Sequence, residues 1–431
     1  MSRRVGEATV FAGVYGVAHF GKSLLWNASE LLFAFFLTEA CGLRGAQMGQ
    51  ILGLSLVVNA VADLCIGQLL RDRVRSTLMA ARFQLMGAIV SGAAFVAFAC
   101  TGSAPSEIRF AYALYAILVF RLAYALFDNP QNTILALATT TDAERARLSS
   151  VRFVFGGLAR IGLAAVFAPL LQGQHATVQA ARFAGLAVVL VAIAVAASAL
   201  LHRQAARTSG LAAPRQSAGL AGQGGVSGWG SARFFLLVFA TAIGFSIFAK
   251  LEPYFATYVL QSRLHGGTMM LCVAAGWVLG QPLWVAITRR AGLVGTLQLA
   301  AMILIAGLAG FVLLARGEVV VTGLVSFVYG LGTGGVGMAQ WAILAAISSG
   351  LKGRFGGTAA FGLFTCCSKL GLATAVFGLG ALLEVTDYRA AGDAFAPVFL
   401  VMTGAPLVGA LLVLLLSTGA APRQPRENSP A

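Results

Sequence analysis

The fold class is decided by residues 177–232, which read TVQAARFAGLAVVLVAIAVAASALLH (177–202) and then RQAARTSGLAAPRQSAGLAGQGGVSGWGSA (203–232). The first part is long and apolar enough to cross about 30 Å of hydrocarbon as a helix, which takes roughly 20 residues. The second part is rich in Gly, Ala, Ser and Gln and contains Pro214, a composition typical of a flexible linker. The stretch therefore predicts a membrane-spanning helix followed by a linker between two units.

The rest of the chain has the composition of a membrane protein. Of its 431 residues, 58% are hydrophobic and 10% are charged, and the mean hydropathy is +0.85, whereas a soluble domain carries about 25% charged residues. Hydrophobic runs with short polar breaks predict an all-α membrane protein of twelve transmembrane helices. These helices are expected near 9–38, 46–70, 78–102, 108–138, 148–172, 177–202, 233–261, 266–288, 293–316, 319–349, 354–384 and 393–418.

The linker divides these helices six and six. We expect an N-terminal bundle at 1–202, a cytoplasmic linker at 203–232, a C-terminal bundle at 233–418 and a cytoplasmic tail at 419–431. Two six-helix halves joined in this way are the layout of the major facilitator superfamily, where substrates bind at mid-membrane between the halves. The 52 glycines allow close helix approach; those crowded at 330–337 fit either tight packing or bending during gating.

Basic residues predict the orientation, because they are concentrated in every second connection. The rich connections hold Arg3 and Arg4, Arg71, Arg73 and Arg75, Arg145 and Arg147, Arg203, Arg207 and Arg215, Arg289 and Arg290, Lys352 and Arg354, and Arg423 and Arg426. The positive-inside rule puts this side in the cytoplasm. We therefore expect a bacterial-type inner membrane protein with both termini cytoplasmic and an even number of helices.

Several other classes of protein are disfavoured. The net charge of +15 is scattered over short loops rather than clustered on one face, which argues against nucleic-acid binding. The six cysteines lack metal-site or disulfide spacing, and no short apolar region with a cleavage site indicates a removable signal peptide. No phosphate-cradling glycine loop, catalytic constellation or added soluble domain is visible. We expect no enzyme activity, cofactor, metal or obligate protein partner, and transport energy from an ion or substrate gradient.

Charged residues within the predicted spans carry the functional argument. A charge at the bilayer centre costs about 2.5–3.5 kcal/mol, so it needs a partner or a hydrated cavity. Lys369 lies deep in the eleventh span and is expected to face Asp63, Asp128 or both. Lys250 and Glu252 fit either a local pair or groups that shape the cavity. The charged residues placed in spans are Lys22, Glu30, Asp63, Arg121, Asp128, Arg152, Lys250, Glu252 and Lys369.

The first helix carries a polar stripe. His19, Ser23, Asn27 and Glu30 follow at intervals of four, four and three residues, which puts them on one helix face. Such a stripe favours contact with water or solute over contact with lipid. The alternative is a polar seam satisfied by neighbouring helices.

The fourth helix is interrupted beside an acid. Pro130 follows Asp128 and removes a backbone donor, which opens the hydrogen-bond ladder. Tyr124 lies one turn before Asp128 and Asn132 one turn after it. This arrangement predicts a binding site, and a simple kink satisfied by side chains is the alternative.

Several stretches of the chain resemble the glycoside-pentoside-hexuronide:cation symporters, the melibiose carrier family of the major facilitator superfamily. They are YGVAHFGKS (15–23), NAVADLCIG (59–67), DNP (128–130) through ERARLSSVRFVFG (144–156), and TCCSK (365–369). GQLLRDR (67–73) is close to the superfamily's loop signature, in which an Asp-Arg pair latches helix ends. The resemblance therefore implies a gating role for Asp72 and Arg73.

The resemblance also implies roles for individual residues. Lys22, Tyr124, Asp128, Arg152 and Thr365 fall in or near the family's sugar site. Asp63 matches a retained cation-site carboxylate, with Lys369 as its charged neighbour. The candidate solute-binding residues are thus Lys22, Ser23, Asn27, Glu30, Tyr124, Asp128, Asn132, Arg152 and Thr365, and the candidate cation-coupling residues are Asp63, Asn59 and Lys369.

Departures from the family pattern bear on both substrate and ion. Ser23 replaces an acid that holds sugar hydroxyls, and Asn132 replaces an aromatic residue that stacks on the sugar. In the cation site, Asn59, Ala62 and Ala125 replace an acid, an amide and a hydroxyl. Sodium needs several oxygen ligands whereas a proton needs one carboxylate, so the loss of oxygens favours proton over sodium coupling.

The leading hypothesis is a secondary transporter that moves a sugar, glycoside or other small polar solute with a cation by alternating access across the bilayer. Lysolipid or amphiphile transport by the same fold is the alternative, since a central lysine attracts phosphate. A non-transporting membrane sensor or enzyme is the third hypothesis.

Overall fold

The computed structural model describes residues 2–71, 73–74, 76–138, 142–172, 175–208, 231–350, 358–390 and 392–417. This part of the chain is predominantly helical and contains no strand, which confirms the all-α fold class. The helices are α1 (Ser2–Leu31), α2 (Phe33–Phe35), α3 (Gly45–Arg71), α4 (Thr77–Ala99), α5 (Arg109–Leu137), α6 (Asp142–Leu170), α7 (Ala176–Thr208), α8 (Ser231–Phe255), α9 (Arg263–Leu279), α10 (Gln281–Leu314), α11 (Val319–Gly350), α12 (Thr358–Val385) and α13 (Ala396–Ser417).

Nine of these helices, counted over the described ranges, are long and apolar enough to cross a membrane. The other long helices are α1 and α6, which carry several charged residues, and α9, which has 17 residues. The protein is therefore a multi-pass membrane protein, and the count of twelve spans stays a prediction. The predicted division between 266–288 and 293–316 coincides with Gly292 inside α10, whose backbone leaves the helical region at φ 69° and ψ 179°.

The helices pack in two groups. In the first group, α1 packs on α6 and α7, α3 on α5, and α4 on α5 and α7; in the second, α8 packs on α12 and α13, α9 on α11, and α10 on α11 and α13. Contacts of α3 with α12, of α6 with α9 and of α1 with α8 join the groups. Most of the predicted linker and the whole predicted tail lie outside the described residues, so the domain boundaries stay predictions.

Small residues let the two groups approach closely. At the contact of α3 with α12, a Cβ added to Gly49 would lie 2.9 Å from the Gly380 Cα. Within the second group, added Cβ atoms at Gly332 and Gly335 of α11 would overlap α10, whereas nothing lies within 4 Å of one at Gly337. Most of the glycines crowded on α11 therefore serve close packing.

Two helix ends have related geometry on the face opposite the chain termini, which we call the far face. After α2, residues Phe36–Ala40 form a π-helical turn, and after α8 residues Ala256–Leu260 form another. Such turns are rare and are often found at functional sites. Their position brings side chains of the two helix groups together on the far face.

Candidate solute and coupling site

A chain of polar side chains joins α1, α5 and α6. Lys22 of α1 forms an ion pair with Asp128 of α5, and the lysine side chain is 5% exposed. The second carboxylate oxygen of Asp128 accepts from Asn132 Nδ2 at 3.2 Å, and Asn132 Oδ1 accepts from Arg152 Nη2 of α6 at 2.9 Å. Four predicted solute-site residues thus lie in one connected cluster.

Aromatic rings flank this cluster. Tyr124 is buried, and its hydroxyl donates to the Lys22 carbonyl at 3.4 Å. Its ring stacks on Trp26, with ring centroids 5.7 Å apart. The Arg121 guanidinium and the Lys369 ammonium lie 5.1 and 5.6 Å from the centroid of the Trp26 ring. Trp26 therefore contacts cations from both helix groups, an arrangement that cation–π attraction stabilises.

Glu30 of α1 lies between two cations. Its Oε1 accepts from Arg121 Nη2 of α5 at 3.1 Å, and its Oε2 accepts from Lys250 Nζ of α8 at 3.0 Å. Lys250 also donates to the Glu30 carbonyl at 2.9 Å. Because Lys250 belongs to the second helix group, this triad connects the two groups.

Asp63 and Lys369 form a second connection. Their ion pair joins α3 to α12, and their side chains are 13% and 10% exposed. The structure thus selects Asp63 from the two acids that the sequence left open for Lys369. Asn129 Nδ2 donates to the Asp63 carbonyl at 3.2 Å, which ties the pair to the interrupted region of α5.

The polar stripe on α1 faces α6. Asn27 Nδ2 donates to the Gly156 carbonyl at 3.3 Å. A Cβ added to Gly156 would lie 3.5 Å from His19 Nε2 and 3.6 Å from Ser23 Oγ. The hydrogen bond agrees with the alternative interpretation of the stripe, a polar seam between helices, for Asn27, whereas His19 Nδ1 is buried without a hydrogen-bond partner.

The remaining predicted site residues occupy different positions. Asn59 is fully buried and donates to the Arg121 carbonyl at 3.2 Å. Thr365 is half-buried on α12, one turn before Lys369. Arg73 is exposed in the turn between α3 and α4, and Asp72 lies outside the described residues.

For Lys250 and Glu252 of α8, the prediction of a local pair is wrong. Lys250 and Glu252 do not pair with each other, because Lys250 contacts Glu30 whereas Glu252 lies 3.9 Å from Arg160 Nη2 of α6. Residues two apart on a helix point to different sides, which gives the two side chains different partners.

A polar cluster on the far face joins the two helix groups. It consists of Glu39, Tyr258, Tyr388 and Arg389, and we call it the latch. Glu39 Oε1 accepts from the Tyr388 hydroxyl at 2.9 Å and from Arg389 Nη2 at 3.2 Å. The Tyr258 hydroxyl also donates to Glu39. Glu39 and Tyr258 lie in the two π-helical turns, so the shared geometry of these helix ends brings them into contact.

Ionisation states in the latch favour its closed geometry. Burial and, secondarily, the Glu39 carboxylate raise the pKa of Tyr388, so its hydroxyl stays a donor at neutral pH. Burial lowers the pKa of Arg389, but Glu39 and Tyr388 outweigh it and raise that pKa above its usual range. The guanidinium therefore stays charged beside the carboxylate.

Further bonds join the groups near the latch. Thr38 Oγ1 and the Tyr254 hydroxyl lie 2.7 Å apart. Gln172 Nε2, at the end of α6, donates to the Ala256 carbonyl at 2.7 Å. The sequence did not indicate the latch, because acids and aromatic residues at helix ends are common and give no local signal. It also indicated no role for Trp26 or Arg160, whose partners lie on other helices.

Ion pairs buried between two groups of membrane helices are an arrangement expected of a membrane transporter. A model of the family described as MFS/sugar transport protein matches residues 14–419, so the chain belongs to this family of the major facilitator superfamily. This match confirms the predicted resemblance. Members of the family are transporters rather than enzymes, as predicted.

Two curated relatives match part of the chain. A candidate glycoside/cation symporter, YagG of Escherichia coli (strain K12), is 29% identical over 158 residues, which are 36% of this chain and 34% of that protein. An uncharacterised symporter of Synechocystis sp. is 29% identical over 148 residues, 33% of this chain and 27% of that protein. The matched region thus spans about a third of the length of these relatives.

Solved structures share the fold at low sequence identity. A bacterial homologue of the iron transporter ferroportin, in an inward-facing state, has a TM-score of 0.65 at 12% identity and covers 95% of this chain and 99% of that chain. The nucleoside transporter NupG has a TM-score of 0.62 at 14% identity over 94% of this chain and 98% of that chain. These similarities confirm the major facilitator fold.

Proposed function

We propose that this protein is a cation-coupled symporter of a sugar, glycoside or other small polar solute. The observation that carries the proposal is the connected cluster of Lys22, Asp128, Asn132 and Arg152 on three helices. Membership of a sugar transport family and the similarity to YagG, which is named for glycoside/cation symport, support it.

The chemistry of the cluster suits a hydroxylated solute. The Asp128 carboxylate accepts hydrogen bonds from solute hydroxyls, whereas Lys22 and Arg152 donate to solute oxygens. Trp26 and Tyr124 supply aromatic surface beside these groups. A solute that enters the cluster exchanges its own hydrogen bonds for those between the side chains.

The coupling ion in this proposal is a proton that binds Asp63. The Lys369 ammonium contacts this carboxylate, so it occupies a position that a sodium ion would need. Protonation removes the charge of Asp63 and releases Lys369. Because the pair joins α3 to α12, its release loosens the contact between the two helix groups.

The proposal includes the orientation and the domain division. We place the chain in a bacterial-type inner membrane with both termini and the 203–232 linker in the cytoplasm, on the basis of the alternating basic connections. The two halves, 1–202 and 233–418, then move against each other, with Asp72 and Arg73 as gating residues on the cytoplasmic face and the latch on the opposite face.

A second candidate is transport of a lysolipid or another anionic amphiphile. Arg152 donates to Asn132, a neutral amide, and its cationic group thus suits a phosphate. This observation favours a lysolipid as the second candidate substrate.

The test is uptake by proteoliposomes in sodium-free buffer with an imposed pH gradient. We expect accumulation of radiolabelled glycosides that collapses with a protonophore and is lost in Asp128→Asn. Strict sodium dependence would refute proton coupling. Uptake of lysophosphatidylcholine without any glycoside uptake would favour the second candidate.

A further inference from the structure

A separate pocket lies between α6 of the first helix group and α8, α9 and α11 of the second. The pocket is partly open to solvent, and its empty volume, with the open part included, is about 320 Å³. Its lining includes Arg160, Phe245, Glu252, Trp277, Tyr329 and Thr333. None of these residues belongs to the cluster around Asp128, so the pocket is a second polar site between the halves.

Glu252 is the incompletely satisfied group in this pocket. Its side chain is 2% exposed, and its Oε1 has no hydrogen-bond partner. Arg160 Nη2 lies 3.9 Å from this oxygen, beyond hydrogen-bond distance. A buried carboxylate without such a partner is unfavourable. A ligand that donates a hydrogen bond to Glu252 would remove this penalty.

The neighbouring charges restrict the donor. Arg160 faces Glu252 from α6 and repels an ammonium group, and Tyr329 faces it from α11 with a neutral hydroxyl. The residues from α9, Val273 and Trp277, do not titrate. A neutral hydroxyl group therefore suits the site better than a cation, and Glu252 disfavours an anion for the same reason.

The walls suit the apolar face of a ring. Phe248 and Tyr329 stack on each other with ring centroids 3.8 Å apart, which holds that wall rigid. Trp277 is half-buried and contacts Phe153 of α6, with centroids 6.4 Å apart. An indole beside a carboxylate and a guanidinium offers both stacking and hydrogen bonding to one flat, hydroxylated ligand.

The pocket lies within reach of the first cluster. Arg160 follows Arg152 by two helical turns on α6, a rise of about 12 Å. Lys250, two residues before Glu252, contacts Glu30 of the triad. A solute with two linked rings is long enough to contact both places.

We propose that the pocket of Arg160, Glu252 and Trp277 binds a neutral hydroxylated ring of the transported solute, with ring hydroxyls on Glu252 and the ring face on Trp277. This inference rests on the proposed function and adds a second subsite to it. The subsite selects uncharged glycosides, and side chains from both helix groups line it.

The test is isothermal titration calorimetry of the purified protein with phenyl β-D-glucoside, phenyl α-D-galactoside and phenyl β-D-xyloside. For any glycoside that binds the wild type, we expect Glu252→Gln to raise the Kd about tenfold, since a hydrogen bond to a charged group is lost. Trp277→Leu should weaken binding similarly. Glu107→Gln, in an exposed loop, and Trp341→Leu are the matched controls and should keep the wild-type Kd.

A second measurement tests the subsite in case Glu252→Gln does not fold. Trp277→Phe keeps a ring in the same space, and we expect it to reduce the glycoside-dependent change in tryptophan emission, whereas Trp341→Phe should retain the full change. The part that persists in Trp277→Phe comes from Trp26, which lies beside the Asp128 cluster. Wild-type binding with unchanged Kd in Glu252→Gln and Trp277→Leu, or an emission change of wild-type size in Trp277→Phe, would overturn the inference alone. Absence of wild-type binding to all three glycosides, together with absence of glycoside uptake in proteoliposomes, would overturn the proposed function as well.

Discussion

Three lysines that the sequence places in membrane spans each contact a carboxylate. Lys22 contacts Asp128, Lys250 contacts Glu30, and Lys369 contacts Asp63. The last two pairs join different helix groups. In a low-dielectric interior each charge offsets the desolvation of its partner, and removal of one partner leaves the other uncompensated.

The pair of Asp63 and Lys369 gives a prediction at the residue scale. Asp63→Asn and Lys369→Met should each reduce stability by about 3 kcal/mol, because each leaves one buried charge alone. The double variant should recover much of this loss. Thermal unfolding of the purified proteins measures the effect, and losses that simply add in the double variant would argue against a direct interaction.

At the scale of single elements, α11 shows how glycine controls helix approach. An alanine Cβ at position 330 would overlap the backbone of Val273 on α9, whereas position 337 has open space around it. In lipid, helix association depends on such close packing rather than on burial from water. The same substitution on the same helix should therefore have different consequences at the two positions.

We predict that Gly330→Ala lowers stability by about 1–3 kcal/mol, since overpacking forces the helices apart. Gly337→Ala should be neutral or slightly stabilising, because alanine favours the helix over glycine. Thermal unfolding and the yield of monodisperse protein provide the readout. Equal behaviour of the two variants would show that the contact of α9 with α11 adapts to an extra methyl group.

At the scale of the whole molecule, the important contacts are those between the two helix groups. The latch, Thr38 with Tyr254, and Gln172 with Ala256 all join them on the far face. In a transporter that alternates access, such contacts must break before this face opens. Glu39 is central, because three latch side chains bind its carboxylate.

We predict that Glu39→Gln shifts the population toward opening of the far face. Cys41 beside it is 1% exposed, and burial raises the pKa of its thiol to about 12, so it should react slowly with a maleimide in the wild type. Opening should increase its labelling several-fold, as measured by mass spectrometry. Cys100, near the same face, serves as the internal control, and unchanged Cys41 labelling in the variant would contradict a latch role for Glu39.

The sequence by itself determined the membrane class, the all-α fold and the family, whereas the boundary between α9 and α10 lies inside the predicted span 266–288. Hydropathy and charge alternation are sums over neighbouring residues, so they can be read without knowing the fold; even the break at Gly292 coincides with a predicted boundary. Local patterns also identified Lys22, Asp128 and Arg152 as charges that need a polar environment.

Only the tertiary structure decided which groups meet. Lys250 contacts Glu30 rather than Glu252, Glu39 contacts Tyr388, and Arg160 faces Glu252 across the two helix groups. These contacts depend on the rotation and crossing of helices far apart in the chain, which no local pattern encodes. The physical reason is that a charge in a membrane span predicts that a partner is needed, whereas helix packing alone selects which one it has.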